Sequence, residues 1–183
     1  MNRNFRIFFY VAVLTLSLIW IYFSRIPVEA TSASGKIVPY TGFLAPEISL
    51  RDTNGNEITL SELRGRPVIV NFWATWCPPC RAEMPAMQRA YMDEADERVL
   101  ILAVNSINQD SLPAVKQFVD EFDITFPVLL DTQGIAANTY QISSLPTTFF
   151  IGKDGIISEV VIGGPMAEAL LKSRIDRMLE RTP

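Results

Sequence analysis

The stretch NFWATWCPPCRAEMP, Asn71 to Pro85, carries both cysteines of this 183-residue chain, Cys77 and Cys80. Pro78 and Pro79 separate them, and the chain has no histidine. These counts exclude several chemistries. A structural zinc site takes four ligands, usually cysteine or histidine, and two cysteines cannot supply them within one chain. A c-type haem attachment needs a histidine directly after the second cysteine, where Arg81 stands. A cysteine nucleophile paired with histidine fails for the same reason. A framework of structural disulfides uses several bridges closing long loops, and this loop is too short to remove much entropy. Two readings survive: a reversible dithiol/disulfide pair, or a two-thiolate metal site.

The residues around the pair suit the first reading. A helical pattern opens at about Cys77. Unpaired N–H groups and the positive end of the helix dipole then favour thiolate over thiol at the first sulfur. Cys77 is therefore expected to be the nucleophile, and Cys80, one turn further in, the resolving thiol. Their spacing brings both sulfurs to bonding distance. Pro78 and Pro79 need no helical N–H there and stiffen the turn. Glu83 lies three residues after Cys80 and shares its helix face. It is either a proton shuttle for the resolving thiol or a solvated helix glutamate. Of the two tryptophans framing the motif, Trp73 and Trp76, one can belong to the core and the other can form a flat contact surface beside the sulfurs. Pro85 is expected to kink the helix. Pro146, in SSLPTTFF, is the second candidate. A proline there is usually trans. On the fold derived next, a cis Leu145–Pro146 bond would put the Leu145 backbone beside the sulfurs, ready to pair with an extended substrate.

The elements that must position these residues are legible in outline. ISLRDTNGNEITLSELRG has two short β-type runs around Asn54-Gly55, a hairpin signal, then a short helical turn at Ser61–Leu63 stopped by Gly65. PVIVNFWA is hydrophobic at nearly every position, as a strand covered on both faces should be. A helix from about Cys77 to Ala95 follows, then RVLILAVNS as a second buried strand. SLPAVKQFVDEF reads as a helix with Ser111 as cap and Pro113 in its first turn. FPVLLD is extended and GIAANTYQI a short helix. PTTFFIGKDGIISEVVIG gives two strands around Lys153-Asp154-Gly155. The last helix, MAEALLKSRIDRMLE, is expected to bury Met166, Leu170, Ile175, Met178 and Leu179. A parallel βαβ half followed by an antiparallel ββα half predicts an α/β fold, a mixed central sheet flanked by helices. C-x-x-C opening the first long helix of such a pattern reads as a thioredoxin-like redox motif.

Ile7 to Phe23 is an uncharged apolar run of 17 residues. That is the lower limit for crossing a bilayer, about 17–25 residues, and longer than the core of a cleaved signal peptide. Arg3 and Arg6 precede the run and Arg25 follows it, which favours a cytoplasmic N-terminus. The expected division is residues 1–6 in the cytoplasm, 7–23 as a single-pass anchor, 24–42 as a linker and 43–183 as the folded domain. The competing reading is a signal peptide cut after Val28-Glu29-Ala30. Residues 31–183 hold 13 basic against 19 acidic residues, a formal charge of −6, which disfavours nucleic acid as a partner. The anchor implies an oxidising compartment, where a lone C-x-x-C pair must be kept in its working redox state by a partner.

NFWATWCPPCRAEMP together with LPTTFFIGKDG resembles the thioredoxin superfamily, and within it the membrane-anchored thiol-disulfide oxidoreductases of the TlpA/ResA type. The resemblance covers about Phe43 to Arg177. It implies a thioredoxin-like fold with an added N-terminal hairpin, a cis Pro146, and Glu83 as the active-site glutamate. Cytosolic thioredoxins carry a buried aspartate six residues before the first cysteine. Here that place is Asn71, which exchanges no proton at neutral pH, so Glu83 becomes the relay candidate. The resemblance further implies a domain outside the cell membrane that reduces disulfides in envelope proteins. Apocytochrome c is one such target; copper-site and spore-envelope proteins are others. Electrons would come from a membrane thiol transporter of the CcdA/DsbD kind. No metal and no cofactor beyond the Cys77–Cys80 disulfide are expected. Rival readings are a disulfide oxidant using the same pair and a Cu(I) chaperone gripping the metal with two thiolates. The absence of histidine and the cis-proline argue against copper. A peroxidase would need a Thr-x-x-Cys setting, and Thr75 is only two residues before Cys77.

Overall fold

The structure, a computed structural model, describes residue 13 and residues 15–17, 39–93 and 99–180. The chain divides into two compact units, residues 1–35 and 36–183. In the first, Val13 and Thr15 to Ser17 are helical, and the Ser17 hydroxyl donates to the Val13 carbonyl at 2.8 Å. The rest of the anchor expected over 7–23, and the linker up to residue 38, lie outside the described residues. No helix among the described residues is long and apolar enough to cross a membrane.

The second unit is built on strand β3 (Val68–Trp73), which is buried along its whole length, as is β4 (Leu100–Asn105). Continuous burial is what strands in the middle of a sheet require, and VIVNFW and LILAVN have the residues for it. The sheet order is β5-β4-β3-β6-β7, with β5 at Val128–Leu130, β6 at Thr147–Ile151 and β7 at Ile157–Ile162. β3 pairs with β4 in parallel and with β6 antiparallel, Val68 opposite both Leu100 and Ile151. β4–β5 is parallel and β6–β7 antiparallel. The mixed sheet expected from the order of the elements is therefore present.

Alternation along β3 divides the core in two. Ile69 and Trp73 join the cluster made with helices α1 (Pro78–Asp93), α2 (Leu112–Glu121) and α4 (Glu168–Glu180). Val68, Val70 and Phe72 join the cluster with Ile48, Leu60, Phe149 and Tyr140, which α3 (Ile135–Thr139) helps to cover. Ser111 caps α2 by accepting from the Ala114 N–H. α1 runs through Pro85; its expected end at Ala95 lies outside the described residues. One helix face differs from expectation. Leu170 is 46% exposed, while Leu171, Ile175 and Met178 are buried. Spacings of four and three make those residues one stripe, and Leu170 is a hundred degrees off it.

A two-stranded antiparallel sheet, β1 (Ser49–Arg51) with β2 (Glu57–Thr59), precedes β3. Its turn holds Gly55 at φ +89°, a conformation that favours glycine. Asp52 closes the turn by accepting from the Asn54 and Asn56 N–H groups, both at 2.8 Å. The Thr53 N–H reaches the Val128 carbonyl at 3.0 Å and ties this sheet to β5. Chain that the sequence assigns to the linker is already attached to the domain: the Gly42 N–H donates to the Ile157 carbonyl at 2.8 Å.

Candidate active site

β3 ends at Trp73, and a tight turn delivers Cys77 to the head of α1, its N–H bonded to the Ala74 carbonyl at 3.3 Å. Cys77 and Cys80 form a disulfide with Cα atoms 5.3 Å apart. The Cys80 N–H, free of any helical partner at this end, points at the Cys77 sulfur at 3.3 Å. Cys80 is wholly buried and Cys77 is 3% exposed, so the first sulfur has the only outlet of the two.

Glu83 is not a solvated helix residue; it is 1% exposed. Asn71 in the middle of β3 donates to its Oε1 at 2.9 Å, and the Met166 N–H donates to its Oε2 at 3.1 Å. Asn71 also donates to Thr148 Oγ1 on β6 at 2.9 Å. Burial raises the Glu83 carboxyl above the ordinary glutamate value, and the bonds from Met166 and Asn71 offset only part of that. Leu145–Pro146 is cis, as is Gly164–Pro165. A Cβ at Gly164 would stand 2.7 Å from both Glu83 Oε2 and Pro146 Cγ. Only a residue without a side chain allows the carboxylate and the cis-proline to pack against this turn.

The two tryptophans separate as the sequence allows. Trp73 is fully buried, its ring 4.6 Å from that of Phe118. Trp76 is 55% exposed and its Nε1 donates to the Gln109 carbonyl at 2.8 Å. Trp76, Cys77 and Leu145 line one groove of about 350 Å³, together with Pro79, Gln109 and Ser144. Leu145 makes no backbone hydrogen bond to any described residue. Of the residues singled out in the sequence, Cys77, Trp76 and Leu145 thus meet at the groove, while Pro146, next in the chain after Leu145, and the buried Cys80 and Glu83 do not line it. A larger cleft of about 700 Å³ between β1 and α3 contains neither cysteine. Among the described residues no three Asp, Glu, Cys or His side chains converge as for a metal ion.

Sequence reasoning missed Gln109, Asp110, Gly164 and Met166. Asp110 accepts from the Thr75 N–H and hydroxyl, both at 2.7 Å, from Asn105 Nδ2 at 3.2 Å and from the Ser111 N–H at 2.9 Å. Burial pushes its carboxyl up, but these donors outweigh it and hold the group below the usual range. Nothing in a loop read as NQDS marks it in advance. The Gly-Pro pair at 164–165 was the one available signal for the other two.

A dithiol pair at the head of a helix, beside a cis-proline strand on a five-stranded mixed sheet, defines the thioredoxin-like class of proteins. The AhpC/TSA family model matches residues 41–160, and the chain belongs to that family. It is 38% identical over 136 residues to the thioredoxin-like protein YneN of Bacillus subtilis (strain 168), covering 74% of this chain and 78% of that one. It is 41% identical over 138 residues to the thiol-disulfide oxidoreductase ResA of the same organism, covering 75% of each. Among solved structures it resembles a putative thiol:disulfide interchange protein DsbE from Chlorobium tepidum, with a TM-score of 0.70 and 27% identity over 76% of this chain and 98% of that one. The protein is a thiol-disulfide oxidoreductase.

Proposed function

We propose that the protein is a membrane-anchored disulfide reductase working outside the cytoplasm, with apocytochrome c among its candidate substrates. The reading draws on the N-terminal apolar run, the TlpA/ResA resemblance and the relatives' shared activity. The observation that carries the chemistry is the Cys80 N–H aimed at the Cys77 sulfur from the first turn of α1. A thiolate there gains a hydrogen bond and the helix dipole, so Cys77 is the group that attacks.

In the reduced protein the Cys77 thiolate attacks one sulfur of the substrate disulfide. That S–S bond breaks, and the other substrate sulfur leaves as a thiolate and takes a proton from water. Leu145 hydrogen-bonds the substrate backbone beside Pro146, and Trp76 packs on the segment. Cys80 then loses its proton to Glu83 and attacks the Cys77 sulfur. The mixed disulfide breaks, the second substrate thiolate leaves, and the Cys77–Cys80 disulfide remains. Two electrons have moved from the protein to its substrate. A carboxyl raised by burial suits this transfer, because its affinity for a proton lies nearer that of a thiol. A membrane thiol donor of the CcdA/DsbD kind restores the dithiol.

Two measurements test the reading. Cys80→Ser should accumulate covalent mixed disulfides through Cys77 in cells, and Cys77→Ser should abolish turnover; a Cys80→Ser protein that captures nothing would remove the mechanism. The reduction potential fixes direction. Reductants of this fold lie near about −270 mV and strong oxidants near about −120 mV. A value below about −220 mV supports reduction; one close to the oxidant limit reverses the flow and removes the proposed donor.

A further inference from the structure

Among the described residues no lysine, arginine, aspartate or glutamate lines the groove beside Cys77, although 20% of the chain is charged. Three charged residues that the motif or its groove brings near, Arg81, Glu83 and Asp110, are each turned to another task. Arg81 pairs with Glu121 at 2.5 Å and lies over the rings of Phe118 and Phe122, 4.9 and 5.1 Å from their centroids. Glu83 is buried with Asn71 and Met166. Asp110 directly follows Gln109, a lining residue, yet each of its oxygens takes two donors from the protein.

Two of those donors belong to Thr75, the residue before Trp76. The Gln109 carbonyl meanwhile takes the indole N–H of Trp76. Two consecutive residues of one loop therefore hold Trp76, one through its ring and one through the backbone beside it. The ring stands as an apolar wall while still 55% exposed. A charged side chain lying in this groove would give up part of its hydration against a neutral lining and gain no counter-charge, which carries a penalty. A serine, alanine or valine would shed little. Discrimination by such a penalty needs a wall that stays in place. The groove's volume, about 350 Å³, is at the low end of the roughly 300–1,000 Å³ of ligand pockets. That is room for the few side chains flanking one disulfide.

We propose that Asp110 is the positioning residue of a neutral docking groove, and that this groove selects disulfides carried in extended segments with uncharged flanking side chains. The inference rests on the disulfide-reductase reading above. It runs against the overall charge of the chain, −4, which by itself would favour basic segments.

The test uses the reduced full-length protein in detergent and peptides of one length. Each peptide carries one C-x-x-C disulfide flanked by serine and valine, by lysine, or by glutamate. The neutral peptide should exceed both charged ones in kcat/KM by about tenfold, the effect of a modest desolvation penalty. In Asp110→Ala the wall is released, charged flanks stay hydrated, and the ratio should fall to within about twofold. Thr75→Val removes one of the four bonds while keeping the side chain's shape. It should move the ratio the same way by less, and it decides the matter if Asp110→Ala does not fold. A variant slowed equally on all peptides, with the ratio intact, would show that Asp110 only supports the fold and would overturn the proposal. So would a wild-type preference for lysine flanks, or none, while hydroxyethyl disulfide is still reduced; the reductase reading then stands. Failure to reduce any of these disulfides takes down both.

Discussion

Glu83 shows how one burial decides both chemistry and pH response. Its carboxyl is held above the ordinary value of about 4.5 by burial. The folded state therefore binds the Glu83 proton more tightly than the unfolded chain does. Between the unfolded and folded values the native protein carries a proton that the unfolded chain has released, so stability falls as pH rises through that window. Glu83→Gln removes the titration. The melting temperature of the wild type, measured relative to Glu83→Gln, should decline as pH rises above about 4.5 and level off once the folded carboxyl has ionised. A constant difference would mean that burial does not perturb this group. On activity, Glu83→Gln should slow resolution of the mixed disulfide by about 10²-fold, the lower range for a positioned acid–base group, as read by stopped-flow with a chromogenic disulfide. Asn71 supplies a second prediction. It donates to Glu83 Oε1 at 2.9 Å, so Asn71→Asp sets a second carboxyl against the first. The pair would share one proton, and Glu83 should titrate higher still when followed by carbon NMR. An unmoved Glu83 would show that the two side chains do not meet in solution.

The elements show where periodicity needs a partner before it can be read. MAEALLKSRIDRMLE offers apolar residues at both 170 and 171. Counting four from Met166 points to Leu170, whereas counting back four and seven from Ile175 and Met178 points to Leu171. Packing of α4 on the Ile69–Trp73 face fixes the phase, and Leu171 is buried while Leu170 is 46% exposed. Leu171→Ala should cost about 3 kcal/mol of stability as a cavity-forming change in the core. Leu170→Ala should stay within about 0.5 kcal/mol, as surface changes do. Urea unfolding of the two variants distinguishes the phases, and equal losses would place the helix in the other rotation. The strands were easier. Their composition reports burial directly, because β3 and β4 are covered on both faces. The turn at Asn54-Gly55 was equally legible, since a positive φ at Gly55 is a local demand.

At the scale of the molecule, chemistry resides in one of two compact units, residues 36–183. This unit holds its own sheet, both core clusters and the dithiol site. Produced alone, residues 36–183 should remain soluble, unfold in one cooperative transition and keep the reduction potential of the full chain. If the anchor reading holds, only the full chain should sediment with membranes. A full chain that stays in the soluble fraction would remove the anchor, and a shifted potential in the shorter one would mean that residues 1–35 act on the site.

The sequence by itself determined the dithiol pair, its place at a helix start and the mixed sheet behind it. Those features are local: residue spacing, helix-end chemistry and strands hydrophobic enough to be buried twice. It also offered two readings of Glu83 and two tryptophans of undecided fate. Tertiary structure decided these, because burial depends on what the other elements cover. Glu83 becomes a buried carboxyl only when β3 brings Asn71 and the turn after β7 brings Met166. Asp110 reaches Thr75 across 35 residues of chain, and Leu145 comes to the groove of Cys77 across a greater distance in sequence. Hydrogen bonds and shared walls between segments so far apart leave no period and no spacing to read; they exist only once the sheet has set which strand ends lie side by side.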